Sequence, residues 1–334
     1  MRSRPLRLSG SMADVPGRVR SGRSVRVRVP ASSANLGPGF DSIGLALGLW
    51  DDYVVTTGDQ AGLRIEVKGH GAGEVPTDES HLVYATMTHT WRTLGFEPPT
   101  GLEIEAGNGV PHGRGLGSSA TAIVAGVLAA QALSLPTTAE AGETVAVDLT
   151  VTAHIASRLE GHPDNATASV YGGLTVSWMP DLSGRDQGEV TVSARPVLHP
   201  EFDVVALVPE EQLSTETARS VLPVEVPFAA AAANAGRSAL LVHALTSEPE
   251  HLYAGTRDWL HQDCRRASYP ASMALVDALR AQGHAAVISG AGPSVLVLTT
   301  RGQAETVVTP DSPVSWRRLT PGVPATGASV VALA

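Results

Sequence analysis

Residues 111–121 read PHGRGLGSSAT, and this stretch constrains the fold more than any other part of the chain. An alternating strand pattern, LEIEA, runs into it at 102–106, and small and apolar residues dominate from Ser118 to Ser134. The pattern predicts a strand, a glycine-rich loop and a buried helix in succession. Helix N-termini present unpaired N–H groups, and glycines let the backbone approach an anion closely. The stretch therefore predicts a phosphate cradle, with a flexible turn and a serine N-cap as the alternative.

The glycine-rich stretch is not a P-loop, because no Lys-Ser or Lys-Thr pair follows the glycines. The chain contains one lysine, Lys68, which lies in a different neighbourhood. A phosphate would be held here by backbone N–H groups and by Ser118 and Ser119, whose hydroxyls can also bind Mg²⁺. Three glycines at alternate positions directly before two serines exceed what helix capping needs, so we favour phosphate binding.

Length and composition limit the function classes. The 334 residues predict two domains of roughly 150 residues each. The net charge of −9 argues against a nucleic-acid partner, because binding to a phosphate backbone needs a basic face. No run reaches the roughly 18 apolar residues of a membrane span. The lone Cys264 excludes an internal disulfide framework and fits a cytoplasmic enzyme.

The first 23 residues are rich in Arg, Ser and Gly and contain no apolar run. This composition predicts a disordered tail at 1–23 and excludes a secretory signal peptide. An Arg-rich transit peptide is the less favoured alternative, because no amphipathic helix emerges from the pattern.

Periodicity predicts an α+β fold, in which strands and helices are mixed along the chain. Alternating or apolar runs predict strands at 24–30, 43–50, 52–57, 63–68, 102–106, 203–208, 285–289 and 294–299, with a loop at 31–41. Helical spacing predicts helices at 79–95 (with Ser80 as N-cap), 118–134, 143–160, 229–246, 251–262 and 271–282. Clustered Gly and Asp make 181–189 the best candidate for a linker or hairpin turn.

Four segments together carry a family resemblance. PHGRGLGSSAT closely resembles the P-x-G-x-G-L-G-S-S-A signature of the GHMP small-molecule kinases. PASSANLGPGFDSIGLAL (30–47) resembles their N-terminal signature, and ISGAGPSVLVL (288–298) resembles their C-terminal one. EGHPDNATASVYGGL (160–174) resembles the family's turn that bears an Asn or Asp. Three ordered signatures over 30–298 make the resemblance specific.

The resemblance implies the two-domain α+β GHMP kinase fold with the site between its halves. The N-terminal half, at 24–180, would be ribosomal-S5-like and bind ATP, and the C-terminal half, at 190–334, would be ferredoxin-like. It also implies that ATP contacts the whole signature, namely Pro111, His112, Gly113, Arg114, Gly115, Leu116, Gly117, Ser118, Ser119, Ala120 and Thr121. The SGAGPS turn (289–294) would pack beside this loop and shape the pocket.

The variant SSANLGPGFD, together with HPDN and LSTETARSVLP, is similar to the homoserine kinases within this family. Galactokinases and the isoprenoid-pathway kinases carry different N-terminal signatures. The implied reaction transfers phosphate from ATP, with Mg²⁺, to the side-chain hydroxyl of L-homoserine, a step toward threonine. Kinship also implies a homodimer.

The resemblance also implies how an amino-acid substrate is held. Asp41 would bind the ammonium group, and Asn35 would hydrogen-bond the substrate nearby. Arg219 and Arg265 would bind the carboxylate, because guanidinium groups suit bidentate capture. Taken without the resemblance, Asp41 reads as a turn residue, and each arginine, including the adjacent Arg266, reads as a solvated surface charge.

The residues that would carry the reaction come from the same resemblance. Asn165 would orient the homoserine hydroxyl, and Ser119 would assist at the phosphate. Asn cannot accept a proton at neutral pH, so the γ-phosphate itself would receive the proton. Asp164 is the competing candidate for a base, and His162 would contact the substrate or fix the turn.

Mg²⁺ needs oxygen ligands, for which Ser118 and Glu160 are the candidates. The family commonly places a Glu eleven residues before the Asn, where this chain has His154. Glu160 is as readily read as an exposed residue at a helix end. This departure supports one alternative, a nucleotide-binding sensor without catalysis. The other alternative is a GHMP kinase that acts on a different small alcohol.

Overall fold

The structure is a computed structural model, and it describes residues 17–136, 139–179, 190–309 and 314–333. The tail is predicted at 1–23, and its residues 1–16 lie outside the described residues. The linker predicted at 181–189 also lies outside them. At 17–23 the expectation of disorder is corrected. The Gly17 N–H donates to the Gly95 carbonyl, the Gly22 N–H donates to the Thr57 carbonyl, and Val19 is buried.

The described residues form thirteen strands and eight α-helices. The strands are β1 Gly17–Arg18, β2 Ser24–Asn35, β3 Gly39–Gly58, β4 Gly62–Gly69, β5 Phe96–Glu97, β6 Gly101–Asn108, β7 Leu174–Trp178, β8 Val192–Ala194, β9 Phe202–Pro209, β10 Ala285–Ile288, β11 Val295–Thr300, β12 Trp316–Leu319 and β13 Ser329–Ala332. The helices are α1 Leu82–Thr93, α2 Ser118–Ser134, α3 Leu149–Glu160, α4 Asp164–Tyr171, α5 Thr215–Ser220, α6 Phe228–Thr246, α7 Leu252–Gly255 and α8 Pro270–Ala281.

The first half is a twisted sheet covered by helices. Its strand order is β13-β2-β3-β6-β4, and β7 pairs with both β3 and β8. Alternate residues of β2, namely Val25, Val27 and Val29, belong to one buried cluster with residues of α1, α2, α3 and α4. Burial of this apolar face fixes α2 against the sheet, and with it the loop that precedes α2.

The second half is a four-stranded antiparallel sheet in the order β10-β11-β9-β12. One face carries α8, where Leu207 and Val297 lie in a cluster with Leu279. The other face shares a buried cluster with α6 and with Leu45 and Leu116 of the first half. The apolar contact between the halves therefore holds the glycine-rich loop directly at their junction. The mixed architecture confirms the predicted α+β fold.

The structure differs from the predicted elements where contacts between residues far apart in the sequence determine the local conformation. The predicted loop at 31–41 is mostly strand, because β2 continues to Asn35 and pairs with β3. The predicted helix at 251–262 ends early, since the Asp258 carboxylate accepts hydrogen bonds from the N–H groups of 260–262 and forms a turn. The C-terminal strand β13, placed by the prediction in the C-terminal domain, pairs antiparallel with β2. Within the described residues, none of the helices combines the length and apolar character that crossing a bilayer requires.

Candidate active site

The glycine-rich loop has a backbone that only glycine adopts comfortably. Gly113, Gly115 and Gly117 have φ values of 63°, 72° and 72°. A Cβ on Gly115 would lie 2.2 Å from the Ser289 carbonyl oxygen, and a Cβ on Gly117 would lie 2.3 Å from Ser32 Oγ. The loop is therefore packed tightly on both neighbours and is not a flexible turn.

The N-terminus of α2 is open to a ligand. Gly117 occupies the N-cap position in the left-handed conformation, and no side chain caps the helix. The first N–H groups of a helix without a cap need external partners, and the helix dipole favours an anion there. Since the serine-cap alternative is absent, Ser118 and Ser119 keep their hydroxyls for a ligand. Both serines line the cavity in front of the helix.

Two charged side chains that the motif does not identify hold this loop in place. The Arg114 guanidinium donates to the carbonyls of Pro209, His112 and Glu210, at 3.0, 2.8 and 2.5 Å. It therefore fastens the loop to the end of β9, and it does not line the cavity in front of the loop.

Asp51 is the second anchor and was missed by sequence reasoning. It is fully buried in β3 and accepts hydrogen bonds from the Val110 N–H at 2.9 Å and the Thr121 hydroxyl at 2.5 Å. Burial raises the pKa of the Asp51 carboxyl, and these hydrogen bonds act in the opposite direction. In the sequence, this anchor was indicated by an acid that lies between the apolar runs 43–50 and 52–57.

A cavity of about 60 Å³ lies between the two halves, in front of the loop. We call it the junction cavity, and it brings together most of the predicted site residues. It is lined by Ala34, Asn35, Gly113, Gly115, Gly117, Ser118, Ser119, Glu160, His162, Asp164, Asn165, Leu213, Arg219, Arg265, Gly290 and Ala291. Seven predicted residues do not line it. Pro111, Leu116, Ala120 and Thr121 are buried, and Asp41, His112 and Arg114 are partly exposed.

The SGAGPS turn packs against the phosphate loop, as predicted. The Ser289 hydroxyl is 2.6 Å from the Gly115 carbonyl, and the Ser294 N–H donates to the Arg114 carbonyl. The Asn35 amide N–H donates to the Gly290 carbonyl at 3.1 Å, and its oxygen accepts from the Asp41 N–H at 3.0 Å. Asn35 thus joins this turn to the N-terminal signature.

A short turn between α3 and α4 supplies the polar wall of the junction cavity. Helix α3 ends at Glu160, its C-cap Gly161 has a φ of 84°, and α4 begins at Asp164. His162 Nδ1 lies 2.6 Å from Asp164 Oδ1, and His162 Nε2 lies 4.0 Å from Glu160 Oε2. Burial alone lowers the pKa of His162, but the hydrogen bond and charge of Asp164 and the charge of Glu160 outweigh it and raise the pKa.

Glu160 is a buried carboxylate beside the phosphate loop. Its side chain is 7% exposed, and the Ser119 hydroxyl lies beside it. Burial raises the pKa of Glu160, while the His162 charge and the Ser119 hydroxyl act to lower it. His154 instead lies outside the junction cavity, where its Nδ1 accepts from the Thr191 N–H at 3.1 Å. Glu160, and not the residue at position 154, therefore places a carboxylate beside the phosphate loop.

Asn165 is oriented by a serine that sequence reasoning missed. The buried Ser32 hydroxyl donates to the Asn165 amide oxygen at 3.1 Å and accepts from the Ser169 hydroxyl at 3.1 Å. The Ser32 N–H donates to the Leu116 carbonyl, so one residue contacts both the phosphate loop and Asn165. With its oxygen occupied, Asn165 offers an amide N–H to a ligand.

The residues predicted for the ammonium and carboxylate of a substrate are paired with each other. Arg219 Nη2 lies 2.5 Å from Asp41 Oδ1, and Nη1 lies 3.2 Å from Oδ2. Burial lowers the pKa of Arg219, but the hydrogen bond and charge of Asp41 reverse this effect and raise the pKa.

Arg265 is buried beside this pair, whereas the adjacent Arg266 is at the surface with Asp263 and Asp277. Arg265 Nε donates to the Ala218 carbonyl at 2.7 Å, and its Nη1 lies 3.1 Å from His261 Nδ1. Burial lowers the pKa of His261, so its neutral ring can accept this hydrogen bond.

A second cavity, of about 260 Å³, shares Ser118 and Ser119 with the junction cavity. It lies between the start of α1 and the start of α2, and Tyr53, Val83 and Ala122 give it apolar walls. His81 Nδ1 and Asn108 Oδ1 line it as buried polar atoms without a hydrogen-bond partner. Buried polar atoms are seldom left unpaired, so this cavity is shaped for a ligand with both donors and acceptors.

Comparisons with known proteins agree with this geometry. Residues 81–173 match the GHMP kinases N terminal domain, and residues 232–309 match the GHMP kinases C terminal domain. The chain is 49% identical over 278 residues to the homoserine kinase of Clavibacter michiganensis, covering 83% of each chain. It is 47% identical to the homoserine kinase of Streptomyces avermitilis, covering 93% of this chain and 97% of the relative.

Solved structures show the same likeness. The crystal structure of homoserine kinase from Cytophaga hutchinsonii is similar with a TM-score of 0.73 and 25% identity, covering 92% of this chain and 97% of that one. Mevalonate diphosphate decarboxylase from Staphylococcus aureus shares the fold, with a TM-score of 0.65 and 18% identity over 92% of this chain and 98% of that one.

Proposed function

The chain belongs to the GHMP kinases, and within them to the homoserine kinases, and from this premise we propose how its site performs the reaction. The enzyme transfers the γ-phosphoryl group of ATP to the side-chain hydroxyl of L-homoserine and yields O-phospho-L-homoserine. The observation that carries the proposal is that an uncapped helix N-terminus meets Glu160, Asn165 and two arginines, Arg219 and Arg265, in one cavity.

The phosphates of ATP bind at the glycine-rich loop. The N–H groups at the start of α2 and the hydroxyls of Ser118 and Ser119 face the cavity that would receive them. The base then occupies the adjoining second cavity, where the unpaired atoms of His81 and Asn108 offer it hydrogen bonds. A fixed set of backbone donors thus performs the role that a P-loop lysine performs elsewhere.

The homoserine zwitterion binds by separating the Asp41–Arg219 pair. Asp41 would bind the ammonium group, and Arg219 with Arg265 would bind the carboxylate. In the structure the two groups that would bind the charges of the substrate are engaged with each other, since Arg219 Nη2 lies 2.5 Å from Asp41 Oδ1. The pair must therefore open for the substrate, which replaces one internal ion pair with two ligand ion pairs. The Phe40 ring lies 5.4 and 5.5 Å from the two guanidinium carbons and keeps both in place.

The donor set beside the phosphate loop fits Mg²⁺. A buried carboxylate, that of Glu160, and a hydroxyl, that of Ser119, adjoin the expected phosphate position, and Mg²⁺ prefers such oxygen ligands. When bound, Mg²⁺ would neutralise charge on the phosphate oxygens. The Ser118 hydroxyl faces the same cavity and is the second candidate.

Asn165 orients the attacking hydroxyl without removing its proton. Its amide N–H can donate to the homoserine oxygen because Ser32 occupies the amide oxygen. Asp164 Oδ1 already accepts from His162 Nδ1 and from the Asn165 N–H at 2.8 Å, so this carboxylate holds the turn. As the new O–P bond forms and the β–γ bridge bond breaks, the hydroxyl proton passes to an oxygen of the transferred phosphoryl group.

A substrate panel tests the proposed specificity. The purified protein with Mg-ATP would be given L-homoserine, mevalonate, galactose or shikimate, and ADP release would be followed. Turnover with homoserine alone supports the proposal. Turnover with another alcohol favours a different kinase of the family, and retained ATP binding without turnover favours the sensor. We also propose a homodimer from family kinship, which light scattering on the purified protein would test.

A further inference from the structure

A third cavity, larger than the two above, lies away from the active site. Its volume is about 670 Å³, and it opens where the loop 195–201 and the start of β9 meet the end of α4, the start of β7 and the segment 322–325. We call it the α4 cavity, because Tyr171, the last residue of α4, lines it. The proposed reaction uses none of its lining residues.

The α4 cavity carries an excess of positive charge. Arg195 and Arg301 line it, together with His199 and one acid, Asp203. Within the described part of the chain, neither guanidinium has an acidic partner in an ion pair. His199 Nδ1 accepts from the Glu201 N–H at 3.2 Å, which leaves Nε2 of the neutral ring as a donor. A concave cationic site on a chain of net charge −9 attracts anions selectively.

A cation–π contact and backbone hydrogen bonds hold the walls of the α4 cavity in place, and part of these walls is apolar. Arg195 lies over the Tyr171 ring, with its guanidinium carbon 5.1 Å from the ring centroid, so the plane of the cation is held. The Gly173 N–H donates to the Pro324 carbonyl, and the Arg301 N–H donates to the Glu201 carbonyl. Leu174, Leu198, Phe202 and Val323 supply apolar surface. A preformed apolar pocket with a few convergent donors is typical of small-molecule sites.

Helix α4 connects this cavity to the active site. Its first residues, Asp164 and Asn165, line the junction cavity, and its last residue, Tyr171, lines the α4 cavity. Eight residues of helix span only about 12 Å. The helix lies against β3 so closely that a Cβ on Gly44 would be 2.1 Å from the Asp164 carbonyl oxygen. A ligand that contacts Tyr171 therefore acts on the helix that positions Asn165.

We propose that the α4 cavity binds a small organic anion, with a carboxylate or phosphate group on an apolar body, and that its binding alters catalysis through α4. Arg195, Arg301 and the His199 ring hold the oxyanion, and the apolar wall holds the body. The ligand is distinct from both substrates, because the phosphate loop, Arg219 and Arg265 line the other cavity.

Isothermal titration calorimetry with two simple probes, phenyl phosphate and 3-phenylpropionate, tests the binding. The full chain is first saturated with homoserine and a non-hydrolysable Mg-ATP analogue, so that the active site is occupied. We expect saturable binding of at least one probe with a Kd of about 1 mM or tighter. Arg195→Gln/Arg301→Gln should weaken it by about tenfold or more. The probe that binds identifies the anionic group.

A control variant, Arg64→Gln/Arg92→Gln, removes two exposed charges elsewhere and should bind as the unmodified chain does. Binding of neither probe, or equal binding to the cavity variant, would overturn the site. Steady-state kinetics test the coupling, since the bound probe should shift the KM for homoserine by about twofold or more in the unmodified chain and not in the cavity variant. Kinetic constants that stay unchanged at saturating probe would overturn the role of α4.

Discussion

The Ser32 hydroxyl donates a hydrogen bond to the amide oxygen of Asn165 at 3.1 Å, although 133 residues separate them. Because the Ser32 N–H also bonds the Leu116 carbonyl, the phosphate loop and the turn that bears Asn165 share one support. The distance between the phosphate loop and Asn165 is therefore set by β2.

Ser32→Ala tests this support. Loss of the hydroxyl frees the Asn165 amide to rotate and to present its oxygen to the substrate. We expect kcat to fall about tenfold while the KM for ATP changes little, since one hydrogen bond contributes roughly 0.5–1.5 kcal/mol. Ser134→Ala removes a serine hydroxyl that bonds only its own helix and should leave kcat unchanged. An equal loss in both variants would contradict the account.

Arg219→Ala should weaken homoserine binding selectively. It removes a charged partner of the substrate carboxylate and leaves Asp41 without its ion pair. We expect the KM for homoserine to rise about 10- to 100-fold with little change in the KM for ATP, as for loss of a charge-assisted hydrogen bond. The control is Arg266→Ala, which removes the surface arginine that follows Arg265 in the sequence. A comparable effect there would show that Arg266, and not Arg265, faces the substrate.

His162→Gln should shift the acidic limb of the pH–activity profile to higher pH. Burial already raises the pKa of Glu160, and the His162 charge opposes that rise, as does the more distant Arg219, while Asp164 adds to it. Removing the imidazolium therefore raises the Glu160 pKa further, so that the carboxylate needed for Mg²⁺ ionises only at higher pH. The measurement is the Mg²⁺ concentration that gives half-maximal activity across about pH 5 to 8. A limb that stays in place, or moves to lower pH, would refute the assignment of Glu160.

Asp164→Asn distinguishes two roles for Asp164, that of a carboxylate that positions the turn and that of a catalytic base. The asparagine oxygen can still accept from His162 and from the Asn165 N–H, so the turn keeps its shape. We expect kcat to stay within about tenfold of the unmodified enzyme, since Asp164 removes no proton in the proposed step. The pKa of His162, followed by NMR, should fall, because the Asp164 charge raises it. A collapse of kcat with unchanged substrate affinities would identify Asp164 as the base.

Gly115→Ala should abolish ATP binding. The added Cβ would meet the Ser289 carbonyl at 2.2 Å, and the residue would keep a φ of 72° that alanine adopts at a cost. Gly236→Ala places a methyl group on α6, where nothing lies within 4 Å of it, and should leave nucleotide binding intact. Binding is measured by titration with a fluorescent ATP analogue. Normal ATP affinity in Gly115→Ala would show that the phosphates bind elsewhere.

Local pattern predicts much of this molecule. The loop, α2 at 118–134 and strands such as β4 and β6 follow from glycine spacing and apolar periodicity, which depend on neighbours in the chain. Local pattern does not predict the hydrogen bonds made by Ser32 and Asp51, because each of these residues bonds a partner far away in the sequence.

Glu160 shows how sequence spacing misleads. The expected glutamate eleven residues before Asn165 is His154, which lies outside the junction cavity. The turn between α3 and α4 contains only residues 161–163, so the end of α3 itself carries the carboxylate to the phosphate loop. The carboxylate beside the loop is identified by its position in space and not by its spacing along the chain. The same holds for β13, whose place beside β2 depends on pairing over about 300 residues of chain.

The central claim is that this chain phosphorylates L-homoserine at the junction cavity. The most direct measurement is ³¹P NMR of the products formed from Mg-ATP and L-homoserine by the unmodified enzyme and by Glu160→Gln. The account predicts a phosphomonoester signal of O-phospho-L-homoserine that grows in step with ADP, and its loss in the variant while the fold is retained. ADP formed with inorganic phosphate alone, or equal phosphomonoester formation by the variant, would contradict it.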